Sequence, residues 1–374
     1  MTDPLRFLEQ ELARLESLSL LRQPGLTAPN NGAINLSSND YLGFAARPVG
    51  SVETGVRGGA GASPLVVGSF VEHERAEAAL VAWLETESAT LFTSGYAANV
   101  GALSCLVGKG DLVLSDRLNH ASIIDGCRLS GATVEVYPHL DAEAARRHLC
   151  TSGSRFRRRL LVTESCFSMD GDSPDLGGLA RICRDHDAVF YVDEAHALGV
   201  FGSEGRGLCA RSGVRPDVLV GTLGKALGLQ GAFIAGSRHL QRWLWNRSRS
   251  LVFSTALSPA LAAAVPERVR LVRAADRERQ RLEVVADRLR AALQEVGAAP
   301  VSSVGPIIPW VLGGAARAMG YSQALLAAGI VAKAIRPPTV PPDSSRIRFT
   351  ASASISDAQL DHVTRTLLEL AARA

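Results

Sequence analysis

The chain has 374 residues, enough for a large core and two unequal domains. Its 47% hydrophobic and 21% charged residues, of mixed sign, are the composition of a globular enzyme and exclude extensive disorder. A net charge of +3, a pI near 8.6 and 5% aromatics, with no basic tract among them, speak against nucleic-acid binding.

Asp3-Pro4 followed by Leu5, Leu8, Leu12 and Leu15 predicts an N-capped amphipathic helix with Pro in its first turn. The N-terminus has no apolar segment flanked by basic residues, so no signal peptide is expected. No apolar run is long enough to span a membrane, and the expected compartment is the cytoplasm. A turn-rich stretch from Gln23-Pro24-Gly25 to Asn30-Asn31-Gly32 follows, and residues 1–45 are expected to form a helix and arm.

Residues 46–258 alternate short apolar strands with helices. Strands are predicted at Thr90–Thr93, Leu112–Leu114, Val134–Val136, Leu160–Thr163, Val189–Val192, Val218–Val220 and Ala232–Ala235. Helices fall between them, as at His73–Leu84, Ala142–Leu149 and Leu179–His186. This alternation predicts an α/β fold with a mainly parallel central sheet and helices on both faces. Arg155, Arg157, Arg158 and Arg159 precede one strand, as a solvated loop or a dock for an anionic partner. Residues 259–374 read as a smaller α+β domain. A long helical stretch runs from about Pro259 to Val296, then strands at Ile307–Leu312, Ile330–Ile335 and Arg346–Phe349, then a helix from Asp357. The cysteines (Cys105, Cys127, Cys150, Cys166, Cys183, Cys209) are irregularly spaced with no CxxC pair. Neither a metal site nor a disulfide framework is expected of them, but buried or inert thiols in a reducing compartment.

Three strand exits carry candidate chemistry. The chain has three lysines, Lys109, Lys225 and Lys333. Lys225 lies in Gly221-Thr222-Leu223-Gly224-Lys225-Ala226-Leu227-Gly228, just after an apolar strand. Small neighbours leave room for a flat ligand, and a readily deprotonated amine is what Schiff-base formation needs. A glycine-rich strand exit with no catalytic role is the alternative. Val189-Phe190-Tyr191-Val192 runs into Asp193-Glu194-Ala195-His196, which places Asp193 at the carboxyl edge of the sheet. There a carboxylate can keep a pyridine nitrogen protonated, with His196 close by; capping the next turn is the other reading. In Phe92-Thr93-Ser94-Gly95-Tyr96-Ala97-Ala98-Asn99 a strand meets a helix start, which suits either a phosphate or an ordinary cap. The absence of GxGxxG, GxxxxGK[ST] and GxSxG disfavours dinucleotide, nucleoside-triphosphate and serine-hydrolase readings.

With these segments in chain order, the sequence resembles fold-type I pyridoxal-phosphate enzymes of the α-oxoamine synthase family. The resemblance runs from Ser38-Asn39-Asp40-Tyr41-Leu42-Gly43 to the C-terminal helix. It includes Gly68 to His73, Ser94-Gly95-Tyr96, Asn119-His120-Ala121-Ser122, Glu164 to Asp172, Asp193 to His196 and Thr222 to Lys225. It implies pyridoxal 5'-phosphate held as a Schiff base on Lys225, which also serves as acid and base at the substrate Cα, with its pKa depressed. Asp193 would pair with the pyridinium nitrogen, His196 with the ring hydroxyl, and His120 would stack on the ring, where a lone histidine is otherwise a cap or a packing residue. Ser168 would bind near the ring hydroxyl. Ser94, Gly95, Tyr96 and Thr222 would hold the phosphate, with Ser254 or Thr255 reaching it from a second subunit of a homodimer. Arg348 would clamp the amino-acid carboxylate, its alternative being a surface arginine on an edge strand. Asn39 and Glu164 would line the site, and Arg22 would meet the far carboxylate of a dicarboxylic acyl chain.

Ile335-Arg336-Pro337-Pro338-Thr339-Val340-Pro341 resembles the biotin-pathway branch of the family. That implies condensation of L-alanine with a pimeloyl thioester, of CoA or a carrier protein, with release of carbon dioxide and thiol. The alternatives are a sibling synthase using glycine or serine with another acyl-CoA, a non-catalytic subunit, and more remotely a nicotinamide dehydrogenase. Three positions depart from the family pattern: Ile355 replaces a common histidine, Pro64 a common arginine and Asp343 a usual glycine.

Overall fold

A computed structural model describes residues 4–22, 32–48, 55–152, 155–298 and 302–372. Asp3 and most of the turn-rich stretch after Arg22 lie outside them. The chain divides into two compact units, one of residues 40–168 and 172–280, the other of residues 1–39, 169–171 and 281–374.

The larger unit is built on a seven-stranded sheet. In chain order, with β1 (Ile34–Asn35) belonging to the other unit, its strands are β2 (Ser88–Phe92), β3 (Leu112–Asp116), β4 (Thr133–Tyr137), β5 (Arg159–Glu164), β6 (Val189–Asp193), β7 (Val218–Thr222) and β8 (Ala232–Gly236). Their spatial order is β2-β8-β7-β6-β5-β3-β4, and β8 alone runs against the rest. Runs such as Leu160-Leu161-Val162 are buried on both sides, as strands of a covered parallel sheet must be. On one face Val113, Leu160, Val162, Tyr191, Val218, Val220 and Ile234 pack with Ala98, Ala102, Leu103, Ile123, Leu240 and Leu244. Those side chains come from α3 (Gly95–Leu106), α4 (Ala121–Ser130) and α8 (Arg238–Arg247). The other helices before α10 are α1 (Phe7–Ser17) in the smaller unit, and α2 (Val71–Leu84), α5 (Ala142–Ser152), α6 (Leu176–Asp185), α7 (Gly207–Arg211) and α9 (Arg249–Val252) in the larger.

The stretch expected to be one long helix is two, α10 (Pro259–Arg273) and α11 (Asp276–Glu295). Arg279 makes the break by donating to the last carbonyls of α10, Val272 at 2.7 Å and Arg273 at 3.2 Å, while it pairs with Asp276 at 2.6 Å. Two of the four clustered arginines are engaged locally: Arg157 grips buried Asp111 with two 2.9 Å bonds, and Arg159 pairs with Asp187. Pro64 opens a wide helical turn over Pro64–Gly68, at the position where its missing N–H leaves no bond unmade.

In the smaller unit α1 begins at Phe7, so Pro4 lies in the turn before it. Leu5 before it and Leu8, Leu12 and Leu15 on it are exposed. A three-stranded antiparallel sheet has the order β11 (Ala334–Ile335), β12 (Ser345–Thr350), β9 (Ile307–Gly313), so β12 is central. β10 (Ile330–Val331) pairs in parallel with β1. The single strand expected over 330–335 is thus split between two sheets, because Ser322 bonds the Ala332 carbonyl (2.7 Å) and Ser37 accepts from the Lys333 amide (2.9 Å). Helices α12 (Ala315–Ala327) and α13 (Asp357–Ala371) complete the unit; the Ser356–Gln359 capping box starts α13. Asp343 has φ +56°, in the left-handed region where aspartate is the nearest substitute for glycine. Ile355 is buried and its carbonyl accepts two bonds from Arg281. Among the described residues no helix is long and apolar enough to cross a membrane.

Candidate active site

Parallel strands bring their carboxyl ends to one edge, and several of the candidate residues of the larger unit lie at or just beyond it. Glu164 and Asp193 end β5 and β6 as direct register partners, and Thr222 ends β7 three residues before Lys225. β3 ends at Asp116, four residues before His120.

Asp193 is buried and fixed by two donors. The Asn99 side-chain amide donates to one oxygen at 2.8 Å and the Ala195 amide to the other at 2.8 Å. The turn-capping reading of Asp193 holds through the Ala195 amide, and the Asn99 bond fixes its second oxygen at the strand edge. Asn99 is held in turn by the Tyr191 hydroxyl, which donates to its oxygen at 2.8 Å, and it donates to Ser122 at 3.0 Å. Its position is not accidental: Asn99 lies one turn into α3 from Gly95, which aims it at the strand ends.

His120 precedes α4 and caps it, accepting from the Ser122 amide at 3.2 Å. The residue is exposed overall, yet the protein around its ring removes part of its hydration. That desolvation lowers its pKa, Asp193 and Asp125 pull the other way, and Lys225 reinforces the lowering; the imidazole is neutral at pH 7. Its backbone amide donates to Glu164 at 2.7 Å. Glu164 is fully buried beside Asp193, and burial, then the Asp193 charge, push its carboxyl up to about 8 against the opposing pull of Lys225. The next residue after Asp193 behaves alike: burial pushes Glu194 up to about 7 while it accepts from the amides of Leu208 and Cys209.

His196 meets the buried Tyr41 hydroxyl at 2.5 Å through Nδ1. Thr222 accepts from the Gly224 amide at 3.1 Å and donates to the Gly231 carbonyl at 3.1 Å, which shapes the turn before Lys225. Ser94 caps α3 by accepting from Ala97 at 3.1 Å, and a side chain built on Gly95 would meet only open space. An anion therefore has room against the first amides of α3. Tyr96 sends its hydroxyl to Asp125, which raises the phenol's pKa, so at this helix start it offers a backbone amide rather than its side chain. Ser168 follows β5 in the same unit, half-buried. Ser254 and Thr255 line a cavity of about 260 Å³ with Thr93, Phe92 and Glu77.

The other three expected residues belong to the smaller unit. Arg348 is 6% exposed on the central strand β12, which rules out the surface-arginine reading. Its guanidinium donates twice to the Asn39 side-chain oxygen, at 3.1 Å each, and to Thr350 at 3.0 Å. Arg22 donates to Thr339 at 2.9 Å. Arg22, Lys333, Arg336 and Thr339 line a cavity of about 740 Å³ with Met319 and Leu326. Asn99 and Tyr41 had no role assigned from sequence, although both lie in segments that carried the family resemblance.

Residues 31–367 match the model of the aminotransferase class I and II family. The chain is 43% identical over 380 residues to the 8-amino-7-oxononanoate synthase of Alkalilimnicola ehrlichii, with 97% of each chain covered. A solved serine palmitoyltransferase of Sphingomonas wittichii superposes with a TM-score of 0.90 at 30% identity, over 100% of this chain and 98% of that one. A solved 8-amino-7-oxononanoate synthase of Francisella tularensis shares the fold, with a TM-score of 0.77 at 23% identity over 92% of this chain and 99% of that one.

Proposed function

The chain belongs to the aminotransferase class I and II family, and within it we propose that it condenses L-alanine with a pimeloyl thioester. The products are 8-amino-7-oxononanoate, carbon dioxide and the free thiol. The protein is a pyridoxal-phosphate-dependent acyltransferase of the α-oxoamine synthase kind. The observation that carries the chemistry is the buried Asp193 carboxylate, held by Asn99 and the Ala195 amide, on the same strand edge as Lys225.

The residues present fit pyridoxal phosphate. Asp193 would hold the proton on its pyridine nitrogen, His120 would lie on the ring, and His196 and Ser168 would meet the ring hydroxyl. Ser94, Gly95, Tyr96 and Thr222 would take the phosphate, with Thr255 supplied by a second subunit. When bound, the cofactor supplies the electron sink for a carbanion at the amino-acid Cα. Lys225 would hold the cofactor, take the Cα proton and return a proton to that carbon after carbon dioxide leaves. The Cα electron pair attacks the thioester carbonyl, and the thiolate departs with the carbonyl's C–S bond. Neutral His120 can pack on an aromatic ring without opposing the positive charge that Asp193 stabilises.

Arg348, oriented by Asn39 and Thr350, would bind the alanine carboxylate. Arg22 would bind the far carboxylate of the pimeloyl chain. Its support is the cavity it shares with Lys333, Arg336, Met319 and Leu326, cationic and apolar together, as a dicarboxylic chain requires. Mass spectrometry of purified protein with pyridoxal phosphate, L-alanine and pimeloyl-CoA is expected to show 8-amino-7-oxononanoate, and none with Lys225→Ala. Product from glycine or serine in place of alanine would assign the chain to a sibling synthase.

A further inference from the structure

His139 follows β4 and is absorbed by none of the roles above. Its Nδ1 lies 2.8 Å from Asp116 Oδ1 and its Nε2 3.1 Å from Asp172 Oδ2. Carboxylates on both nitrogens require both nitrogens to donate, a state reached when the ring is charged. The Phe167 ring meets the imidazole edge-on, with centroids 4.4 Å apart. Each partner lies in a segment that leads to a site residue. Asp116 ends β3, accepts from the Leu118 and Leu140 amides and through its carbonyl from Asn119, and so shapes the turn into His120. Asp172 closes the loop after β5, its carbonyl accepting from the Phe167 amide at 2.9 Å, next to Ser168. The other carboxylate oxygen of Asp172 is buried and has no hydrogen-bond partner among the described residues, so its charge leans on His139.

We propose that His139 is a positioning residue, which ties the turn carrying His120 to the loop carrying Ser168 and so holds both for the bound cofactor. The proposal rests on the reading that this site takes pyridoxal phosphate. The energetics agree with the geometry. Burial alone would lower the pKa of the ring, but the hydrogen bonds to Asp116 and Asp172 outweigh it and raise the imidazole from 6.5 to about 9. A folded value raised above the unfolded one makes the tie fully present below pH 6.5 and lost as pH rises through about 9. The charged groups facing the ring are Asp116 and Asp172; the buried Tyr137 hydroxyl beside Asp116, pushed up by burial, stays neutral throughout.

The test compares holoenzyme of the wild type, His139→Asn and Asp172→Asn by visible circular dichroism of bound cofactor and by cofactor affinity from pH 7 to 10, with urea unfolding of each apoprotein. Wild type is expected to lose dichroic amplitude with a midpoint near pH 9, and both variants to lack that transition and to bind cofactor about tenfold more weakly at pH 7. Asp172→Asn serves if His139→Asn fails to fold. Variants with lowered urea midpoints but wild-type affinity, dichroism and alkaline transition would overturn the proposal and leave His139 a purely structural tie. A wild type that takes up no cofactor would overturn the cofactor reading, and this inference with it.

Discussion

Glu164 shows how much of the site's chemistry depends on burial of single groups. Its carboxyl sits against Asp193 with no room for two charges, and its pKa is raised to about 8 from an ordinary 4.5. Between those values the folded protein holds a proton that the unfolded chain gives up, so stability falls as pH rises through this window. Glu164→Gln keeps an oxygen for the His120 amide and removes the titration. The variant apoprotein is expected to show a smaller fall in urea midpoint between pH 5 and 8.5 than the wild type; an identical fall would refute the assignment. The placing of Asp193 at a strand end and of Lys225 just beyond one was legible in the sequence, because the apolar runs stop there; the roles proposed for them came from the family resemblance. Asn99 and Tyr41 were not legible, because their meaning lies in partners 94 and 155 residues away, Asp193 and His196. His139 was hidden for the same reason, with carboxylates 23 and 33 residues distant.

At the scale of elements, the site depends on how closely α3 and α4 approach, since α3 carries Asn99 and α4 is capped by His120. Gly126 permits that approach: a Cβ there would sit 2.9 Å from the Asn99 carbonyl oxygen and 3.0 Å from the Leu103 Cβ. Gly126→Ala is expected to destabilise the protein by about 1–3 kcal/mol in urea unfolding. It should also weaken cofactor binding by displacing Asn99 from Asp193. An unchanged midpoint would mean that the helices have slack. The central strands were readable as apolar runs because both their faces are covered, and their bounds differ from the expected ones by no more than two residues at either end. Two elements were misjudged for a common reason. The break between α10 and α11 is made by Arg279, and that between β10 and β11 by Ser37 and Ser322. Side-chain bonds to backbone groups leave no mark in hydrophobic periodicity.

For the molecule as a whole, the homodimer reading makes Thr255, exposed here at the rim of a cavity, part of a partner's phosphate site. Light scattering of the holoenzyme at micromolar concentration is expected to give twice 39.5 kDa. A fully active monomer would remove Thr255 from the site. The claim on which the rest depends is that Lys225 moves the Cα proton of L-alanine. Proton NMR of L-alanine incubated with holoenzyme in D2O tests it most directly. The wild type is expected to exchange the Cα hydrogen for deuterium, and Lys225→Ala to do so at least ~100-fold more slowly, the usual worth of a positioned acid–base group. Equal exchange by the two proteins would contradict the account.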